Sequence, residues 1–436
     1  MRLTILCLVL GGLGVSRLDA QTLFEQFNFE FSFSTPGARA NGMGRAATAL
    51  PDDATAAEIN PAGLTRWSTP LLAVELKSTS FTTLRFARAD AFTTLEPQTF
   101  GGRVTAPSFF SWVHHKKGAL TFALFGQEYL RYAEAFSLER RRIPGTIHYF
   151  LPVEGSLALR GSNWGGAVAR KLGQRLALGA TLKLSVLSVR TTTERGHIFD
   201  ERLDPARLSN VQEIDDRDYA VGAGAGVLWK AFQGDPAAAG VVSSVDVGAS
   251  YSWNPAFSVE ERFSTVEDDG GLEPVPGYPR RLKISIPDRL AIGTAAALFR
   301  SRLLLAADVV WMRYSELGGS RSSIIPDIGE YHREEFRADD SVGLQLGAEL
   351  AIGRARRLRV RGGAFSVPSH RLRYVGETET VTGRGLDLTF NLGRSDTRWA
   401  GTAGVGYGVS LHLDVNAAYV AAPNADDFVL SAAYSF

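Results

Sequence analysis

Apolar and polar residues alternate with a period of two through most of this chain, which is the period of strands. In QRLALGATLKLSV, Leu176, Leu178, Ala180, Leu182, Leu184 and Val186 share one face, opposite Arg175, Ala177, Gly179, Thr181, Lys183 and Ser185. In SRLLLAADVVWMRY, Leu303, Leu305, Ala307, Val309 and Trp311 oppose Asp308; in SLHLDVNAAYV, Leu411, Leu413, Val415, Ala417 and Tyr419 oppose His412, Asp414 and Asn416. The pattern predicts about fourteen strands, near 69–86, 104–116, 118–134, 156–171, 174–192, 217–232, 240–256, 288–300, 302–316, 341–353, 357–375, 398–409, 411–421 and 427–436.

The connections between these strands alternate in length. Tight or fairly short turns fall at HKKGA, KLGQR, KAFQGDPAAAG, FRSR, IGRARR and YGVS. Long ones fall at 87–103, 135–155, 193–216, 257–287, 317–340 and 376–397, with the short AAPNADD also on their side. Sorting the loops this way is the layout of an outer-membrane barrel, and a soluble sandwich has no reason for it. The expectation is an all-β fold: an antiparallel transmembrane barrel of about fourteen strands, with both ends in the periplasm. Trp112, Trp164, Trp229, Trp253, Trp311 and Trp399 lie within or at the ends of strands, as girdle residues do. Arg160, Lys183, Asp308 and Asp414 are expected to face the lumen, because Arg or Lys at the lipid midplane costs roughly 2–4 kcal/mol.

The beginning of the chain reads as an address. Arg2, the apolar run Leu3–Leu10 and the small residue Ala20 predict a secretory signal over residues 1–20. The only cysteine, Cys7, lies inside it. No later apolar run reaches the ~20 residues of a spanning helix. The mean hydropathy of −0.03 suits a barrel whose strands alternate lipid-facing and lumen-facing residues. The 47 Lys+Arg against 46 Asp+Glu leave no basic surplus for a nucleic acid.

One stretch breaks the alternation: GMGRAATALPDDATAAEINPAGL, from Gly42 to Leu64. Asp52 or Asp53 is a good N-cap for a short helix through ATAAE. Pro61 would stop that helix, and Gly63 then permits a tight turn. Such a segment is too small to fold alone, and a fourteen-stranded barrel has a lumen too wide for its own side chains to fill. The expectation is an N-terminal plug.

The run GARANGMGRAATALPDDATAAEINPAGL resembles the N-terminal region of the FadL-type outer-membrane transporter superfamily, and also that of the related PorV/PorQ-type barrels. The matching pieces are Gly42, Gly44 and the Arg-Ala that follows, then Asp52, Asp53 and Ala54, then Asn60, Pro61 and Ala62. The resemblance implies residues 21–68 as a hatch in a fourteen-stranded barrel of residues 69–436. It implies passage of hydrophobic small molecules such as long-chain fatty acids, lateral exit beside a kinked strand, and no cofactor. In FEQFNFEFSF, Phe24, Phe27, Phe29, Phe31 and Phe33 would form the tail beside the substrate pocket; the alternative is that they pack the hatch inside the barrel. The closing strand FVLSAAYSF, with Tyr434 and Phe436, resembles the signal read by the barrel-assembly machinery. Partners would then be outer-membrane lipid, a hydrophobic substrate and, during biogenesis, that machinery. The resemblance leaves two alternatives, a PorV-like component of a protein secretion or surface-attachment system and a general pore.

Other motifs change little. GMGRAA lacks the βαβ context of a dinucleotide fingerprint. GAGAGV, from Gly222, marks a bend or a close approach of another backbone within a strand. GVGYG, from Gly404, reads as structural. His114 and His115 stand at a turn, and no histidine or cysteine cluster has metal-ligand spacing. No serine elbow is present, so no enzyme is expected. The loop ERGHIFDERLDPARLSNVQEIDDRD, dense in both signs of charge, reads as solvated and extracellular.

Overall fold

The alternating segments become strands β1 (Leu71–Phe86), β2 (Pro97–His115), β3 (Thr121–Leu138), β4 (Val153–Leu172), β5 (Leu176–Gly196), β6 (Leu208–Gln233), β7 (Val242–Trp253) and β8 (Ala256–Val266). They continue as β9 (Arg280–Ser285), β10 (Arg289–Leu298), β11 (Leu303–Met312), β12 (Ser341–Ile352), β13 (Leu358–Val367), β14 (Arg398–Gly408), β15 (Leu413–Ala421) and β16 (Ala425–Ser435). The computed structural model describes residues 33–51, 53–86, 97–115, 120–138, 141–142, 149–150, 153–196, 208–234, 241–267, 270–317, 319–324, 331–368, 373–376, 397–423 and 425–436. The proposed signal lies outside these residues. Neighbours pair antiparallel throughout, and β16 closes the ring on β1 from Leu71–Ser435 to Phe81–Ala425. The strands β7 and β8 are two parts of one stave, as are β9 and β10. The wall is therefore a closed barrel of fourteen staves, as the sequence pattern predicts.

The dyad sorts the side chains. On β5, Leu178, Leu182 and Leu184 are exposed outward, while Thr181, Lys183 and Ser185 are buried. Outward apolar residues recur around the ring, among them Leu76, Leu124, Val221, Ile292, Val309, Leu346 and Leu430. Trp112, Trp164, Trp229, Trp253 and Trp399 are exposed on that surface. Lys183 and Asp308 point inward, and Asp414 shares the inward face of β15 with the buried Ala418 and Val420. Arg160 does not follow the expectation. It shares the outer face of β4 with Trp164, with its side chain 63% exposed, and pairs with Glu128 at 2.9 Å. It lies beyond the apolar belt, where an outward charge meets no hydrocarbon.

Several segments expected as loops are strand. β6 begins at Leu208, inside the charged loop expected over 194–218, and β8 and β9 occupy much of 257–287. Both regions carry charges on a strand that has left the belt, so the apolar dyad that reveals a strand is missing there.

Among the described residues, two interruptions of the wall stand out. The ladder between β2 and β3 runs only from His115–Thr121 to Phe109–Gln127; farther along, each strand keeps its other neighbour. The β3–β4 register shifts between Glu128 and Leu130. Between β6 and the stave β7–β8, ladder pairs stop at Ala223–Trp253 and resume at Glu213–Arg262. Proline contributes to the second break, since Pro255, between β7 and β8, cannot donate to a ladder. Asp288 pins the broken ends by accepting from Tyr251 Oη at 2.5 Å and from Asn254 N at 2.8 Å. Across the gap the side chains of Asp218 and Asp216 accept from Ser258 N (2.6 Å) and Glu260 N (2.9 Å) in place of carbonyls.

Residues Phe33–Trp67 lie inside the barrel. They form α1 (Ala38–Gly42), α2 (Ala56–Ile59) and a 3-10 helix, Pro61–Arg66. The first packs against β13 to β16, whereas the 3-10 helix packs against β3 to β6, so the segment crosses the lumen. Pro61 ends α2 as expected. However, it also begins the 3-10 helix, where its missing N–H costs nothing, and Asn60 Oδ1 accepts from Ala62 N at 3.2 Å. No turn follows at Gly63.

Candidate functional site

A ring of inward polar residues holds the N-terminal segment. Glu75 of β1 accepts from Gly37 N at 2.5 Å and from Ser108 Oγ at 2.6 Å. Lys183 of β5 donates to Glu58 at 2.7 Å, and Asp246 of β7 takes Arg66 at 2.8 Å. Asp308 of β11 accepts from both Ala47 N (2.9 Å) and Thr48 N (2.8 Å). Glu349 of β12 receives the two-pronged Arg39 at 2.9 and 3.0 Å together with Arg361 of β13 at 2.6 Å. Asp427 of β16 binds Lys77 at 2.8 Å and lies 3.8 Å from Arg45. Burial lowers the Arg45 guanidinium from its ordinary pKa, and Asp427 opposes that shift. The Arg45 guanidinium also lies 4.2 Å from the centre of the Phe365 ring.

Inward glycines let the segment's backbone rest directly on the wall. A Cβ at Gly347 would stand 2.2 Å from the Met43 carbonyl oxygen, and one at Gly226 would stand 2.1 Å from Asn60 Oδ1. Gly179, Gly248 and Gly363 are crowded by the same segment. At Gly226, in the GAGAGV run, the close neighbour is the Asn60 side chain rather than the other backbone that was expected.

Above the segment, on the side of the long loops, is a cavity of about 250 Å³. Its floor includes Arg45, Glu58 and Ile59, and its walls include Tyr129, Pro255 and Ile286. Higher in the lumen the inner faces of β3 to β6, β8 and β9 meet in a buried apolar cluster containing Phe136, Leu157, Leu187, Ile214, Phe257 and Leu282. Phe33 packs on that cluster with its ring 6.4 Å from Tyr129. The next residues run along the end of the β2–β3 ladder. Ser34 N donates to Tyr129 O (2.8 Å), Gln127 Nε2 donates to Ser34 O (3.0 Å) and Lys77 Nζ donates to Ser34 Oγ (3.1 Å).

The residues singled out in the sequence fall in distinct places. Asn60, Pro61 and Ala62 sit against β5 and β6, where Asn60 Nδ2 donates to Thr48 O (2.8 Å) and Val227 O (3.1 Å). Gly42 meets Gly404 of β14, whereas Gly44 has φ 61° and rests on β12 and β13. Asp53 accepts from Thr55 N at 2.8 Å, although the α2 N-cap is Thr55 rather than an aspartate. Of the tail phenylalanines only Phe33 is described; Phe24, Phe27, Phe29 and Phe31 lie outside the described residues, as does Asp52. Tyr434 and Phe436 stack edge-on at the short-turn end, 5.1 Å between centroids. Glu75, Glu349 and Asp427 were missed in the sequence because they lie inside ordinary alternating strands. Among the described residues no group of three or more His, Cys, Asp or Glu could hold a metal ion.

No family model and no curated protein matches the chain. Solved structures do match over nearly its whole length. A Pseudomonas aeruginosa FadL homologue is 14% identical, with a TM-score of 0.63 over 94% of this chain and 99% of its own. The Ralstonia pickettii toluene transporter TbuX is 13% identical, with a TM-score of 0.59 over 93% and 100%. The Pseudomonas putida toluene transporter TodX is 12% identical, with a TM-score of 0.59 over 93% and 98%. The fold is therefore that of the FadL-type barrels.

Proposed function

We propose that the chain is an outer-membrane channel for hydrophobic small molecules, with residues 33–67 as a hatch that closes the lumen. The single observation that carries this reading is the 250 Å³ chamber that lies between the N-terminal segment and a buried apolar cluster. Apolar contact is nearly the only handle such a ligand offers. An apolar cavity of ~150 Å³ holds benzene, so this chamber has room for a compact aromatic or for part of an acyl chain. That TbuX and TodX are toluene transporters agrees with the smaller ligand.

The short-turn end then faces the periplasm. A molecule entering through the apolar cluster meets the hatch and leaves sideways, where the β2–β3 ladder ends and residues 33–36 cover the opening. A filled lumen argues against a general diffusion pore.

Proteoliposomes loaded with the full protein, challenged with labelled toluene and a labelled long-chain fatty acid, test the reading. Uptake above empty liposomes is expected, and removal of residues 21–37 should abolish or strongly change it. Uptake no faster than in empty liposomes for every compound of a panel of aromatics and acyl chains would sink the proposal.

A further inference from the structure

The short-turn end of the barrel holds a second cavity, below the hatch and separate from the chamber. Its volume is about 710 Å³. Cations line it from several directions. Lys171 comes from the end of β4, Arg175 from the β4–β5 turn, Lys230 from the end of β6, Arg300 from the β10–β11 turn and Arg356 from the β12–β13 turn, while Arg66 rises from the hatch. The acidic side chain in the lining is Asp246, and it is engaged by Arg66 at 2.8 Å. The other five cations have no ion-pair partner among the described residues.

This excess does not come from composition, because the whole chain carries a formal net charge of only +1. It comes from placement. The turns RKLGQR, FRSR and GRARR contain no acidic residue, and barrel topology brings all three to one rim. The rim is also fixed. Lys230 N donates to Arg175 O at 2.8 Å, Ser301 N to Ser243 Oγ at 3.2 Å, and Ala351 N to Arg302 O at 2.8 Å. Unpaired like charges held around one concavity raise the local potential, and a cleft focuses that field on an anion.

We propose that this basic bowl binds a small oligoanion carrying two or more phosphate or carboxylate groups. Three observations select that class. The volume lies within the usual 300–1,000 Å³ of small-molecule sites, so a folded domain does not enter. Arginine forks match the oxygens of phosphate and carboxylate two at a time. A single monoanion would leave most of the five charges uncompensated. The ligand's source is either a soluble anion of the periplasm or the headgroup of an acidic phospholipid reaching in from the inner leaflet. The binding itself does not depend on the transport reading, which supplies only the side of the membrane that the bowl faces.

The test uses the full protein purified in a neutral detergent, titrated calorimetrically with tripolyphosphate and, separately, with citrate. The variant Arg175→Gln/Arg300→Gln/Arg356→Gln changes turn residues outside the ladder. The control, Arg217→Gln/Arg262→Gln/Arg281→Gln, removes three charges at the opposite end; electrophoretic heat-modifiability verifies that both barrels fold. Wild type is expected to bind at least one probe, more weakly as salt rises. The bowl variant is expected to lose about tenfold or more in affinity, and the control to lose nothing. The titration is repeated in nanodiscs of zwitterionic lipid with and without phosphatidylglycerol. Competition by that lipid would assign the site to a headgroup, and unchanged binding would assign it to a soluble anion. Absence of binding to both probes at low salt overturns the proposal, as does equal affinity in the bowl variant or an equal loss in the control. Binding of a polyglutamate peptide alone, with neither small anion bound, also overturns it and points to an acidic protein segment.

Discussion

At the scale of single residues, the N-terminal segment inside the barrel is held by buried groups that each satisfy something otherwise orphaned. Asp308 is the clearest case, since one carboxylate oxygen takes two backbone N–H groups of the segment. In Asp308→Ala both donors lose their acceptor in a buried setting, at about 1–3 kcal/mol each. The expected result is a lower thermal midpoint and new protease cuts within residues 38–67, with the barrel band intact on gels. Asp414→Ala is the comparison. Its carboxylate pairs with Arg359 at 2.8 Å but is 41% exposed, and such surface pairs contribute about 0–1 kcal/mol. The inward direction of Asp308 was legible from the dyad of β11, but its partners were not, because the amides of Ala47 and Thr48 carry no sequence signature. Gly347 teaches the same lesson. Nothing in SVGLQLGAEL marks it, yet Gly347→Val would drive a side chain into the Met43 carbonyl. The N-terminal segment of that variant is expected to be released, read as the same protease cuts in a barrel that still folds.

At the scale of elements, most strands that cross the belt were readable to within a few residues, because lipid outside and polar lumen inside impose a strict period of two, although β2 starts well before 104 and β13 ends at Val367 rather than 375. β5 and β12 are examples. Where strands continue past the belt that constraint disappears, which is why the start of β6 and all of β8 and β9 were read as loop. The two wall interruptions were equally hidden. Proline marks both breaks, Pro255 the one and Pro107, two residues past the last β2–β3 pair at Phe109, the other, but only after the strands are placed. The tail residues beside the β2–β3 break give the test at this scale. Gln127 and Ser34 are in contact, and the only native cysteine is Cys7. A Ser34→Cys/Gln127→Cys pair would therefore form an unambiguous staple between tail and wall. If tail movement opens the exit, uptake of the labelled aromatic should be lost under oxidation and restored by reductant. Unchanged uptake in the oxidised protein, with the disulfide verified by mass, would remove the tail from the mechanism.

At the scale of the whole molecule, the belt and the charges beyond it define the boundary with the membrane. On β5 the outward face is apolar from Leu176 to Val186, the length of the about 9–11 residues a tilted transmembrane strand needs. Leu182, 64% exposed, lies within that run, and Trp164 of β4 pairs with Leu184 near its upper edge. Arg160 pairs with Ser188, farther along the same ladder. At ~3.3 Å per residue and a tilt near 45°, its four-residue distance from Trp164 lifts it roughly 9 Å above the tryptophan, at headgroup height. The outward arginine that contradicted the sequence reading thus becomes a marker of where hydrocarbon ends. Leu182→Arg should cost roughly 2–4 kcal/mol when the barrel folds into phosphatidylcholine vesicles, because the new charge sits near the midplane. Arg160→Leu should change that folding free energy little, and both variants should fold alike in detergent micelles, where a charge at this position can reach water. Denaturant titrations in vesicles and in micelles separate the two cases. Equal penalties for Leu182→Arg in both media would mean that the residue serves packing within the wall rather than contact with lipid, and the placement of the belt would have to be redrawn.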